Sequence, residues 1–272
     1  MANRASAVQT RDLECSNGMP AFVAYPTSSD GPYPVYILLH ERYGLVEHTK
    51  DLALRCARDG FFVMAPNLFF RHADQAQLSA GNSRYDLSDD ESIVSLQAVL
   101  AELKNFPEAD AERVAVGGYC QTGRFPLVFA AHVPIQAAIV WYGAASKREW
   151  GVNERQPQLL DKIISQLPCP VFGAFGSDDH IISVSDIQRF RGALEATNKS
   201  YDLNIYRGAP HGWLNDTMPG RYRREQAEAA WLDQQRFLQA VLDPMAGQDS
   251  VSWKFTSAIS PDYDFTKNVR LE

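Results

Sequence analysis

The stretch RVAVGGYCQTGR, residues 113–124, holds a lone cysteine, Cys120, behind two glycines and in front of the apolar run FPLVFA. A strand that breaks at glycines and turns directly into a helix can hold one side chain out on a sharp bend. Such a bend aims the first backbone N–H groups of the helix at whatever that side chain attacks. A thiol attacks a carbonyl carbon well only as thiolate, so a catalytic cysteine needs a base, a helix N-terminus, or both. His211 suits the role of base, because imidazole titrates near neutrality. A carboxylate behind the histidine fixes its tautomer and stabilises the imidazolium, and Asp178 and Asp179 compete for that place. The competing reading of Cys120 is a small hydrophobe ending a buried strand. The glycines, the histidine and the acid together favour chemistry.

These residues need elements to position them. Strand-like runs occur at 21–26, 34–41, 61–68, 113–119, 137–143, 170–176 and 202–208. Several are continuously apolar, as strands buried on both faces of a parallel sheet are. Helical periodicity marks residues 89–105, through Ile93, Leu96, Leu100 and Leu103, and residues 221–242, through Ala227, Ala230, Trp231, Gln234, Phe237 and Val241. Alternation of this kind predicts an α/β fold, a mostly parallel central sheet with helices on both faces. Working groups in such sheets sit beyond the carboxyl ends of the strands. Glu41, Cys120, Asp178, Asp179 and His211 all fall there. Two polar connections, 69–88 and 144–168, are long enough to wall a pocket.

The chain order is nucleophile, acid, histidine, which is that of the α/β-hydrolase fold and not of chymotrypsin or subtilisin. From "LLHERYGL", "GYCQTG", "VWYG", "PCPVFGAFGSDDHII" and "YRGAPHGWLND" the chain resembles the dienelactone hydrolase family, α/β-hydrolases with a cysteine nucleophile, as far as about residue 242. The resemblance implies Cys120 as nucleophile, Asp179 rather than Asp178 as triad acid, and His211 as base. It implies that Glu41 keeps the cysteine protonated at rest and takes its proton when substrate arrives. It also implies oxyanion donors at the backbone N–H groups of Gln121 and Arg42. Two positions depart from the family pattern. Thr122 stands where the turn ordinarily has glycine, which predicts crowding at the strand–helix crossing. Asn215 stands where members acting on chlorinated dienelactones carry a carboxylate-gripping arginine. A carboxylate-bearing substrate then needs another cation, for which Arg84, Arg42 and Arg124 are candidates. Tyr142 and Trp213 are expected in the pocket wall or the core.

The bulk properties exclude other classes. The chain has 272 residues and a net charge of −7, with no basic stripe among its 26 lysines and arginines, which argues against nucleic acid. No window approaches the roughly 18 apolar residues of a membrane helix. The four cysteines, Cys15, Cys56, Cys120 and Cys169, form no C-x-x-C pair, which argues against zinc or disulfides and fits a reducing cytoplasm. His40, His48, His72, His132 and His180 read as solvated or packed. His40-Glu41 lacks the second histidine of a zinc-peptidase helix. The expectation is one α/β-hydrolase domain over 1–272, with its core at about 20–242 and an extension from about 245. It opens a lactone or small ester of dienelactone type through an acyl-thiol intermediate, without cofactor or metal, as a monomer or small homo-oligomer. The alternatives are a general carboxylesterase or thioesterase, and a catalytically silent binding protein.

Overall fold

Strands built from the apolar runs bury alternate side chains on opposite faces, as period-two geometry requires. Along residues 35–39, Val35, Ile37 and Leu39 enter one core while Tyr36 and Leu38 enter the other. The computed structural model describes residues 7–28, 31–244 and 250–258. In chain order its elements are β1 (Val8–Glu14), β2 (Pro20–Pro26), β3 (Tyr33–Leu38), α1 (Glu47–Arg58), β4 (Phe62–Pro66), α2 (Gln75–Ser79), α3 (Asp89–Leu103), β5 (Ala109–Tyr119), α4 (Phe125–Ala130), β6 (Ala137–Trp141), α5 (Leu160–Gln166), β7 (Val171–Gly176), α6 (Val184–Ala196), β8 (Tyr201–Tyr206), α7 (Arg224–Val241) and β9 (Trp253–Ser257). The nine strands form one sheet in the order β1-β2-β4-β3-β5-β6-β7-β8-β9. The β1–β2 and β2–β4 pairs are antiparallel, and every later pair is parallel. The mostly parallel sheet of the expected fold is therefore present.

The buried residues of α1 and α7, among them Leu52, Cys56, Ala230 and Trp231, pack into the core on one face. Those of α3 to α6, among them Leu96, Phe129, Ile163 and Phe190, pack into the core on the other. Two helix starts that bear on the site carry reciprocal caps. Ser88 Oγ accepts from Glu91 N at 3.1 Å while Ser88 N donates to Glu91 Oε2 at 3.1 Å. Ser183 and Asp186 do the same at the start of α6. These pairs satisfy backbone donors that a helix start leaves open.

Strand ends differ from the sequence pattern where side-chain character outlasts backbone pairing. The run 34–41 leaves the sheet after Leu39, whose N–H still donates to Gly117 O, so His40 and Glu41 lie beyond the strand. The two edge strands, β1 and β9, were not legible, because their side chains are mostly exposed and carry no apolar alternation. In the extension, Phe255 packs on the core and Trp253 is exposed, while Tyr263 lies outside the described residues.

Candidate active site

Cys120 directly follows β5, with φ +56°, in the left-handed region. A non-glycine residue there is strained by about 1–3 kcal/mol and persists only where its surroundings enforce it. A short 3-10 turn, Cys120–Arg124, follows and runs directly into α4. The close crossing expected at Thr122 falls one residue later. A Cβ on Gly123 would lie 2.7 Å from Gly143 Cα, at the bend after β6, so this contact demands glycine. Thr122 is instead bonded into place. Its buried hydroxyl donates to His40 O at 2.7 Å and accepts from Tyr119 N at 3.0 Å. His40 Nδ1 donates to Glu41 O at 2.6 Å, and its Nε2 accepts from Leu68 N at 3.0 Å. That pattern needs a neutral ring, and burial lowers the His40 pKa to about 4. The turn bearing Cys120 and the turn bearing Glu41 and Arg42 are thus tied together through Thr122 and His40.

Beyond β7 and β8 the other two groups arrive. A Cβ on Gly176 would lie 2.0 Å from Ala209 O, so its absence lets the loop bearing His211 close onto the end of β7. Asp179 is buried and Asp178 is exposed. Asp179 Oδ1 accepts from Ile181 N at 2.7 Å and Ile182 N at 3.0 Å, which leaves Oδ2 for His211 Nδ1 at 2.9 Å. His211 Nε2 lies 3.1 Å from Cys120 Sγ. Burial opposes charge on this ring, but Asp179 and the Cys120 sulfur outweigh it and push His211 up to about 10. Asp178 accepts from Ser177 Oγ and does not touch the histidine.

Glu41 is buried beside this group but does not reach the sulfur. Its Oε1 accepts from Tyr142 OH at 3.1 Å and its Oε2 from Asn215 Nδ2 at 2.7 Å. Asn215 is itself held, its Oδ1 accepting from Thr217 N and Oγ1. The resting arrangement implied by family resemblance, with glutamate at the thiol, is therefore not the one seen: the thiol faces His211, and Asn215 occupies the carboxylate. Tyr142 also packs edge-on against His211, with ring centroids 5.4 Å apart.

A cavity of about 110 Å³ opens on Cys120, lined by Arg42, Arg84, Gln121, Tyr142, Ile182 and His211 among others. Among the described residues, neither Gln121 N–H nor Arg42 N–H donates to a protein acceptor. Arg42 spends one guanidinium nitrogen on Gly81 O and Ser83 O, and its Nε is buried without a partner. Arg84 pairs with Asp86 and is half exposed. Two expected pocket residues stand apart. Arg124 does not line this cavity: it is buried in a two-pronged pair with Asp89, at 2.8 and 2.9 Å, with Glu149 nearby. Trp213 is buried behind Tyr142 and packs on Trp141 and Tyr206. Sequence reasoning missed Arg148, which does line the cavity. The only signal was its place in the long 144–168 connection.

Among the described residues, no three His, Cys, Asp or Glu side chains are grouped to hold a metal ion. No described helix is long and apolar enough to cross a membrane.

Residues 19–242 match the sequence profile of the dienelactone hydrolase family. A Yersinia pestis protein named "Putative carboxymethylenebutenolidase" is 31% identical over 242 residues, spanning 83% of this chain and 88% of that protein. The crystal structure of a "Putative Dienelactone Hydrolase" from Klebsiella pneumoniae superposes with a TM-score of 0.75 at 28% identity, over 85% of this chain and 98% of that one. P91, a dienelactone hydrolase-like promiscuous phosphotriesterase from metagenomic libraries, shares the fold at a TM-score of 0.70 and 18% identity, over 86% and 99% of the two chains.

Proposed function

The chain belongs to the dienelactone hydrolase family and is a hydrolase of lactone or ester type, and from that premise we propose that Cys120, His211 and Asp179 form its catalytic triad. One observation carries this reading: His211 bridges Cys120 Sγ at 3.1 Å and Asp179 Oδ2 at 2.9 Å, on a strained turn that begins a helix.

The steps follow from the contacts. With His211 protonated through neutral pH, Nε2–H points at sulfur, which then serves as a thiolate. The thiolate attacks the carbonyl carbon of the ester. The oxygen that gains charge meets the free N–H groups of Gln121 and Arg42, donors that need no reorganisation. The tetrahedral intermediate collapses, the C–O bond breaks, and His211 gives its proton to the leaving oxygen. In a lactone that oxygen stays tethered, so the product of this step is one ring-opened acyl-thiol. Water then gives a proton to His211 and its hydroxyl to the acyl carbon, which releases the acid and restores the thiolate–imidazolium pair.

The substrate we infer is a small lactone of dienelactone type, in keeping with the small cavity. Its carboxylate would meet Arg84 or Arg42 at the cavity wall, since Arg124 is committed to Asp89 and Asn215 to Glu41. Turnover of a panel of dienelactones and activated esters by wild type and Cys120→Ala tests the reading. The variant should lose at least about 10³-fold, because only binding and oxyanion donors remain. Full activity in Cys120→Ala would remove the triad.

A further inference from the structure

Two hollows meet near Cys120. The cavity that opens on the sulfur holds about 110 Å³, and a larger one of about 320 Å³ lies beside it. Four residues line both and so divide them: Arg84, Gln121, Arg148 and Glu149. Arg84 and Arg148 are exposed and Gln121 is partly buried, which makes Glu149 the buried member of the partition. A buried carboxylate is costly unless it is paired, and the partners of Glu149 are arginines rather than the triad.

The partition is firmly anchored. Glu149 Oε1 accepts from Arg148 Nε at 2.8 Å, and Oε2 faces Arg124 at 3.5 Å. Arg124 donates to Glu149 O at 3.3 Å and to Gln158 O at 3.0 Å, while Asp89 at the start of α3 grips it with both oxygens. The turn around Glu149 is held as well. Trp150 Nε1 donates to Ala145 O at 3.0 Å, and Arg189 of α6 lies over the Trp150 ring, 4.0 Å from its centre. On the other side Gln121 crosses to the 69–88 connection, its Nε2 donating to Tyr85 O at 2.6 Å. The wall is thus tied to α3, α6 and both long connections.

We propose that this partition limits the length of the acyl group, with Glu149 as the specificity-determining residue, and that the enzyme takes esters whose acyl part is short. The proposal rests on Cys120 as nucleophile. An ester carbonyl on Cys120 turns its leaving oxygen to His211 and its carbonyl oxygen to Gln121 and Arg42. The acyl chain takes the remaining direction, past Ala144 and Ser146 to Glu149. A space of this size holds on the order of four groups as large as water, at about 30 Å³ each. A longer chain must displace Glu149 or lay apolar carbon against its ion pairs. Either is unfavourable, because buried charge needs its partners. With the carboxylate gone, the second hollow would accept the chain.

The test uses p-nitrophenyl esters of acetate, butyrate, hexanoate and octanoate, each kept too dilute to form micelles. The reading is kcat/KM for the octanoate divided by that for the acetate within one enzyme, which cancels any general loss of activity. In wild type this ratio should be about one-tenth or less, since one misfitting methylene already costs about tenfold. Glu149→Ala should raise it at least about tenfold, chiefly through a lower KM for the long esters. Glu149→Gln, which keeps the volume, should stay near the wild-type ratio. Arg148→Ala thins the same wall from its exposed side and should raise the ratio, which keeps the test open should Glu149→Ala not fold. A wild-type ratio of one or more, or an unmoved ratio in folded Glu149→Ala, would overturn the partition. So would an unmoved ratio in Arg148→Ala where Glu149→Ala does not fold, or a rise in Glu149→Gln as large as that in Glu149→Ala. Cys120→Ala, run in parallel, separates the two claims. Hydrolysis that needs Cys120 but ignores chain length sinks only the partition, whereas hydrolysis that survives in Cys120→Ala sinks the triad.

Discussion

Thr122 Oγ1 donates to His40 O at 2.7 Å, joining the turn that holds the nucleophile to the turn that holds Glu41 and Arg42. The two backbone N–H groups assigned to the oxyanion lie on these two turns, one on each. The bond therefore sets their spacing. Thr122→Val keeps the shape but strips a buried carbonyl and a buried N–H of their partner, at a cost of about 1–3 kcal/mol. Urea unfolding should register that loss, and kcat should fall while KM for a neutral ester changes little. A Thr122→Val enzyme with unaltered stability and kcat would mean that the link positions nothing.

The pH dependence follows from His211, pushed from 6.5 to about 10. A raised pKa stabilises the folded state fully below the unfolded value and not at all above the folded one. This contribution should therefore drain away as pH rises from 6.5 to about 10. The melting temperature of the wild type should fall across that window, and His211→Gln should flatten the slope. On the same account kcat/KM should decline as pH passes about 10, where the ring loses the proton it gives to the leaving oxygen.

Asp179 and Asp178 differ in what they touch. Asp179→Asn should lose most turnover, because an amide in place of Oδ2 no longer holds the Nδ1–H tautomer or balances the imidazolium. Asp178→Asn, whose carboxylate accepts from Ser177 Oγ and not from His211, should keep most of it. Steady-state kinetics of the pair, on one ester, decide the assignment.

The four thiols should separate in reactivity. Burial pushes Cys15 to about 11, Cys169 to about 12 and Cys56 far up, so these three should resist iodoacetamide at neutral pH. Cys120, partly exposed and facing His211, should take up one equivalent quickly, as peptide mass mapping would record. Labelling of Cys120 no faster than the others would place Glu41, rather than His211, at the thiol in the resting enzyme.

The sheet was legible because strands buried on both faces must be continuously apolar, as β3, β6 and β7 are. The edge strands β1 and β9 were hidden because half-exposed backbone pairs without asking for apolar side chains. At the site, the residues at strand ends announced themselves through glycines and order along the chain. Arg124 misled, since its position beside the nucleophile turn says nothing of which way its side chain goes, and Asp89 lies 35 residues away in sequence. Arg148 was illegible for the same reason: an irregular loop has no periodicity, and its shape is set by long-range bonds from Arg124 and Asp89. The engagement of Glu41 by Asn215 was likewise beyond the sequence, which marked Asn215 only as a missing cation.

The central claim is that the acyl group passes through the sulfur of Cys120. Wild-type enzyme turning over a slowly deacylating ester should be quenched in acid, digested and weighed by mass spectrometry. The account predicts one acyl mass increment on the peptide bearing Cys120, formed within a turnover and cleared by hydroxylamine. The same ester hydrolysed at full rate with Cys120 unmodified at every time point, or an increment on another residue, would contradict it.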